Sequence, residues 1–188
     1  SLLALWGRVL AAVPNSQLVL KGRGLSDATV RQRYERRFAA AGIPLDRIDL
    51  LERTAETSAH LALYNDVDIS LDSSPYNGTT TTCESLWMGV PVVALLGDRH
   101  AARVSASLLQ AAGHPEWIAA TADDYVRIAT TLATDPVALA AIRAGLRDEV
   151  RASVLLDHAG QSARFGVALR DCWAEWCARQ PAVAALAG

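Results

Sequence analysis

Tyr76-Asn77-Gly78-Thr79-Thr80-Thr81-Thr82-Cys83-Glu84-Ser85-Leu86-Trp87-Met88-Gly89-Val90-Pro91-Val92-Val93 reads as a short hydroxyl-rich loop that runs into a helix and then a strand. Gly78 lets the backbone approach a ligand closely. The threonines open a helix whose unpaired N–H groups and positive dipole end attract an anion. Glu84 falls about one turn inside that helix, where a carboxylate reaches sugar hydroxyls lying beside a bound pyrophosphate. The segment therefore has the form of a nucleotide-sugar cradle. Thr81-x-x-Glu84 also fits a capping box, in which the hydroxyl bonds the N3 amide and the carboxylate reaches back to the cap. The two readings are compatible. Four consecutive β-branched threonines are poor helix formers and more than a cap requires, and this excess favours ligand contact.

Outward from this segment, strands and helices alternate. Upstream, a helical apolar pattern over Ser1 to Val13 is broken at Val13-Pro14-Asn15-Ser16, and Leu18-Val19-Leu20 follows as a short buried strand. A charged helix spans about Asp27 to Ala41 and stops at Gly42; Ile48-Asp49-Leu50-Leu51 is a second strand. A short helix around Ser58 to Asn65 leads to the strand Val67-Asp68-Ile69-Ser70-Leu71, then the Thr-rich helix, then a strand from Val90 to Leu95. After Gly97 the pattern turns helical: Arg103 to Ala112, a helix capped by Thr121-x-x-Asp124 and running to about Ala133, a helix opened by Pro136, and a last helix over Asp157 to Cys177. This order predicts an α/β, Rossmann-like, doubly wound parallel sheet ending in several helices. Ligands of such a sheet bind at the carboxyl ends of the strands. Residues 1–180 are expected to form a single domain, and residues 181–188 a frayed tail.

Composition removes several classes of function. At 188 residues and a net charge of −2, the chain has room for one core and carries no basic footprint for nucleic acid or an anionic membrane. No apolar run approaches the roughly 20 residues of a membrane span. Cys83, Cys172 and Cys177 have no metal-ligand spacing, and their odd number argues against a complete disulfide framework. A reducing, cytoplasmic setting is the expectation. The apolar pattern begins at the first residues with no leader before it, so the chain is expected to start inside a larger protein.

Three further constellations bear on the site. Lys21-Gly22-Arg23-Gly24-Leu25-Ser26-Asp27 partly resembles the G-x-G-x-x-G dinucleotide fingerprint. Asp27 stands at the third glycine, where a carboxylate would repel a pyrophosphate, so a flexible loop with Asp27 in the first helical turn is the expected arrangement. Lys21 can lean over the strand end toward a phosphate as a point charge, or stand as a solvated lysine. Asp66 and Asp68, with Asp72 four further on, invite a metal reading, but period-two alternation puts Asp66 and Asp68 on one side of the chain at a helix-to-strand junction, where solvation of one or both accounts for them, and no metal is expected. His60 sits where a βα loop would line the ligand crevice.

Taken in order, His60-Leu61-Ala62-Leu63-Tyr64, Asp68-Ile69-Ser70-Leu71-Asp72, the Thr-rich loop, Leu86 to Val93 and Gly97-Asp98-Arg99-His100-Ala101-Ala102-Arg103-Val104 resemble the O-GlcNAc transferase family and its bacterial members. The resemblance spans most of the chain, from Trp6-Gly7-Arg8-Val9-Leu10 onward. It implies the C-terminal, nucleotide-sugar-binding lobe of a GT-B glycosyltransferase whose parent protein carries TPR-type helical repeats. The implied reaction is metal-independent, inverting transfer of a sugar, GlcNAc in the family, from a UDP-sugar to a protein hydroxyl. UDP-sugar would be a substrate, and no cofactor is implied.

Carried over by position, Ala55 and its neighbours would offer backbone groups to uracil and His60 would contact the nucleotide. Gly78, Thr79, Thr80 and Thr81 would form the phosphate loop, and Glu84 would hold the ribose hydroxyls. Metazoan members have histidine at the Thr79 position, aspartate at that of Glu84 and arginine at that of Leu63. The family's phosphate-binding lysine lies upstream of Ser1. The acceptor site and the group that takes the acceptor proton are expected in the N-terminal part, so this chain alone is expected to bind nucleotide without turnover. A UDP-sugar epimerase lobe and a non-catalytic interaction module are the alternatives. In the latter, Trp173 and Trp176 would dock a partner; in the full-length enzyme their helix could equally pack on the missing lobe, and where their apolar face is left uncovered the isolated domain is open to dimerisation.

Overall fold

A computed structural model of the chain describes residues 2–179. Helix α1 (Leu2–Ala12) buries Leu5, Trp6, Val9 and Leu10, the spacing of one helix face, and leads to strand β1 (Leu18–Gly22). Helix α2 (Ala28–Ala40) begins at Asp27, whose carboxylate accepts from the Thr29 and Val30 amides. Strand β2 (Ile48–Glu52) lies parallel to β1, with Leu18 beside Ile48 and Gly22 beside Glu52. Helix α3 (Thr57–Ala62) is continued by a 3₁₀ turn, Leu63–Asp66, to strand β3 (Ser70–Leu71). Helix α4 (Thr80–Trp87) and strand β4 (Val92–Leu95) follow. The remainder is α5 (Val104–Ala112), β5 (Ile118–Ala119), α6 (Ala122–Thr134), α7 (Pro136–Ala152) and α8 (His158–Arg179).

Every strand pairing among the described residues is parallel, as the βα alternation requires. The strands form two hydrogen-bonded groups, β1 with β2, and β3-β4-β5 with β4 central. β4 is correspondingly apolar and buried at Val92, Val93 and Ala94. A single hydrophobic cluster joins both groups through α1 and α6: Trp6 and Leu10, Leu18 and Leu50, Phe38, Val93, Tyr125, Ile128 and Leu146 all belong to it. A cavity of about 1560 Å³ is lined by β1, by residues 66–71 leading into β3, and by the starts of α3 and α4.

Two strands are shorter than their apolar runs. The run from Val67 pairs only at Ser70 and Leu71, because the Arg143 guanidinium on α7 takes the carbonyls of Val67 and Asp68 and the Val67 amide closes the preceding turn on Tyr64. Val90 is likewise outside β4: its amide bonds the Ser85 carbonyl, and Pro91 has no N–H to give. Past Gly97, where only helices were expected, Ile118 and Ala119 add β5 beside Ala94 and Leu95. Two residues are too few for a periodicity to register. Thr121 caps α6 through the Asp124 amide, and Pro136 sits in the first turn of α7, both as expected. The expected tail, residues 181–188, lies outside the described residues.

Candidate functional site

The Thr-rich loop rests on a buried polar floor. Asp72, just past β3, accepts the Gly78 amide at 2.8 Å. Burial pushes the Asp72 carboxyl above its ordinary range. The Gly78 carbonyl accepts from Ser105 (2.9 Å) and Thr82 (3.1 Å), whose hydroxyls also meet each other at 2.9 Å. The Asn77 amide donates to Ala101, so the Gly97–Val104 segment that stood out in the sequence holds the loop from one side. A Cβ at Gly78 would overlap the Thr81 hydroxyl and come within 2.9 Å of that of Thr82, so a larger residue here would displace the threonine side chains that open α4. Thr79, Thr80 and Thr81 are left exposed at the start of α4, and Thr82 is buried.

Above this floor three elements bring their side chains together. Lys21, near the carboxyl end of β1, donates from Nζ to Thr54 Oγ1 at 2.8 Å and meets His60 Nδ1 at 2.7 Å. The other ring nitrogen of His60, Nε2, lies 3.0 Å from Glu84 Oε2 on α4. The ring of Tyr64 stands edge-on to that of His60 at 5.6 Å, and its hydroxyl is turned toward the Thr81 carbonyl at 3.5 Å. Burial raises the Tyr64 phenol above its usual range; a bond from Ser85 opposes the rise and the neighbouring Glu84 adds to it. Lys21, Ala55, His60, Thr80, Thr81 and Glu84 all line the same cavity.

Of the residues singled out in the sequence, Lys21, His60 and Glu84 form one hydrogen-bonded line. Thr80 and Thr81 stand at the helix start beside it. Ala55 lies exposed on the loop after β2, in the same cavity wall. The capping-box reading fails. Thr79, not Thr81, is the N-cap of α4, it makes no side-chain cap bond, and the Glu84 carboxylate goes to His60 rather than back to the cap. Two participants left no sequence signal of their own: Thr54, which anchors the ammonium, and Ser105, which reaches the loop from α5. Tyr64 was visible only as part of the amphipathic stretch after His60.

The glycine loop after β1 is filled from within. The Glu52 carboxylate accepts the Gly24 and Ser26 amides and the Ser26 hydroxyl, at 3.1, 2.8 and 2.8 Å. The Ser26 backbone and side-chain bonds, with that from Arg53, hold Glu52 down at about 2. A carboxylate thus occupies the N–H groups that a pyrophosphate would need, and Asp27 caps α2, so the partial dinucleotide fingerprint is a structural loop. Asp66 and Asp68 are exposed while Asp72 points to Gly78. Among the described residues no three metal-capable side chains converge.

A family model described as Glycosyl transferase family 41 matches residues 1–163. The chain is 39% identical over 175 residues to the Arabidopsis thaliana protein named probable UDP-N-acetylglucosamine–peptide N-acetylglucosaminyltransferase SPINDLY, covering 93% of this chain and 19% of that protein. It is 34% identical over 158 residues to a Caenorhabditis elegans UDP-N-acetylglucosamine–peptide N-acetylglucosaminyltransferase, covering 84% of this chain and 13% of that one. Among solved structures, a mutant of the Thermobaculum terrenum O-GlcNAc transferase matches with a TM-score of 0.85 and 39% identity, over 93% of this chain and 34% of that chain. The chain therefore spans about a fifth of the length of the plant relative.

Proposed function

Because this chain belongs to glycosyl transferase family 41, we propose that residues 1–180 are the nucleotide-sugar-binding lobe of a GT-B protein glycosyltransferase. The names of the relatives point to UDP-GlcNAc as donor and a peptide as acceptor. The observation that carries the reading is the convergence of Lys21, His60 and Glu84 with the exposed threonine start of α4 on one cavity. This supports a division of labour within the site. Glu84 accepts the ribose hydroxyls, while Thr79, Thr80 and Thr81 and the free amides at the start of α4 receive the diphosphate. His60 and the backbone around Ala55 face the base.

In this reading the sugar leaves the diphosphate as the acceptor hydroxyl attacks from the opposite face, with inversion. The helix start and the threonine hydroxyls stabilise charge on the departing nucleoside diphosphate without a metal. The acceptor groove and the residue that takes the acceptor proton belong to the part of the enzyme outside this chain, along with its helical repeats, and the whole works in the cytoplasm. Calorimetric titration with UDP, GDP and ADP, repeated on Glu84→Ala, tests the assignment. Selective binding of UDP that weakens at least tenfold on losing Glu84, about 1.4 kcal/mol, is expected. Equal binding of all three nucleotides, indifferent to Glu84, would remove the site.

A further inference from the structure

Resting on the nucleotide-sugar reading of this site, we infer that Lys21 is a positioning residue: it fixes the tautomer of His60 and, through that ring, the aim of the Glu84 carboxylate. The inference follows from donor and acceptor counting along the line Thr54, Lys21, His60, Glu84. An ammonium only donates. Lys21 Nζ is steered by Thr54 Oγ1 at 2.8 Å and reaches His60 Nδ1 at 2.7 Å, so Nδ1 is the accepting nitrogen and the ring proton sits on Nε2. Nε2–H then donates to Glu84 Oε2 at 3.0 Å, the one arrangement in which each of these contacts joins a donor to an acceptor. With the proton on Nδ1 instead, a lone pair on Nε2 would face the carboxylate and repel it.

The geometry also separates Lys21 from a plain phosphate contact. Its charge lies on the far side of a neutral ring from Glu84, so it acts on the carboxylate by ordering the ring between them. The edge-on Tyr64 ring at 5.6 Å limits how far His60 can turn. Each part comes from a different element: Lys21 from β1, Thr54 from the loop after β2, His60 from α3 and Glu84 from α4. The line thus ties the first βαβ unit to the helix that opens the phosphate loop. One oxygen of Glu84 is held by His60, and a carboxylate has a second with which to accept a ribose hydroxyl.

The test is the ring proton itself. In ligand-free protein, long-range ¹H–¹⁵N spectra assigned with His60→Gln should show His60 as the Nε2–H tautomer. Lys21→Met, and separately Thr54→Val, should move it toward a tautomeric mixture. In titrations with the nucleoside diphosphate that binds most tightly, Lys21→Met should weaken binding about three- to tenfold while leaving inorganic pyrophosphate unaffected. That loss should vanish in a Glu84→Ala background. An unchanged Nε2–H tautomer in Lys21→Met, or a loss that persists without Glu84 and extends to pyrophosphate, would overturn the inference and make Lys21 a direct anion contact. Should no nucleotide bind, the function proposed above fails, and the tautomer measured without ligand still decides the role of Lys21.

Discussion

Asp72 shows how one side chain can be visible in a sequence while its role stays illegible there. With Asp66 and Asp68 it makes an acidic cluster that suggests a cation, yet it turns inward to take the Gly78 amide and sits in surroundings that raise its pKa. The sign of the consequence follows. A carboxyl whose folded pKa lies above its unfolded one binds more protons in the native state, so it lowers stability as pH rises through the ordinary carboxylate range. Asp72→Asn keeps an oxygen for the Gly78 amide and carries no charge. Its melting temperature at pH 7 should equal or exceed that of the parent, and the gap should close as pH is lowered toward 4. Scanning calorimetry at several pH values measures this, and a large drop at pH 7 would mean that the charge itself holds the loop. At this scale the fold brings together Lys21, His60 and Glu84, which the sequence singled out separately, while the side chains they touch were not legible there. Their partners, Thr54 and Ser105, come from distant parts of the chain whose juxtaposition no local spacing encodes.

The elements were legible because their apolar periodicity and caps agree with the fold, as with Thr121 before α6 and Pro136 within α7, whereas Asp27, expected in the first turn of α2, stands before it as the cap. Where lengths departed, backbone groups had been claimed by another partner, as at Val67 and Asp68 by Arg143. The end of α4 shows the same coupling between elements. Gly89 has φ of 78°, the Val90 amide returns to the Ser85 carbonyl, and the Gly89 amide returns to that of Leu86, which together close a Schellman turn. A Cβ on Gly89 would stand 2.6 Å from the backbone carbonyl of Arg143, the residue whose guanidinium holds the carbonyls ahead of β3. Gly89→Ala therefore meets both a left-handed backbone and a collision with α7. It should cost about 1–3 kcal/mol in urea unfolding. A change under about 0.5 kcal/mol would mean that α7 shifts freely against α4, which the Arg147 bond to the Trp87 carbonyl argues against.

For the whole molecule, the parallel α/β class follows from the alternation of strands and helices, whereas the division of the strands into two hydrogen-bonded groups does not, since nothing local in β1 or β3 says which edge finds a partner. The packing also divides the chain unequally. The core runs from Leu5 on α1 to Val150 on α7, while none of the 22 residues of α8 is buried, and Trp173 and Trp176 stack on each other at 5.1 Å with more than half of each exposed. The bonds that tie the start of α8 to Asp157, from Gly160 and Arg164, are exposed and contribute little. Hydrophobic stabilisation scales with apolar area removed from water, so a helix that buries nothing adds almost nothing to the fold. A chain ending at Asp157 should unfold as cooperatively as the longer one, with a melting temperature within about 2 °C, equivalent to less than about 1 kcal/mol for a chain of this size. The same truncation should abolish any self-association that sedimentation velocity detects in the longer chain, because it removes the exposed faces of Phe165, Leu169, Trp173 and Trp176. A fall of 5 °C or more would show α8 packing on the core, and self-association that survives the truncation would move the interface elsewhere.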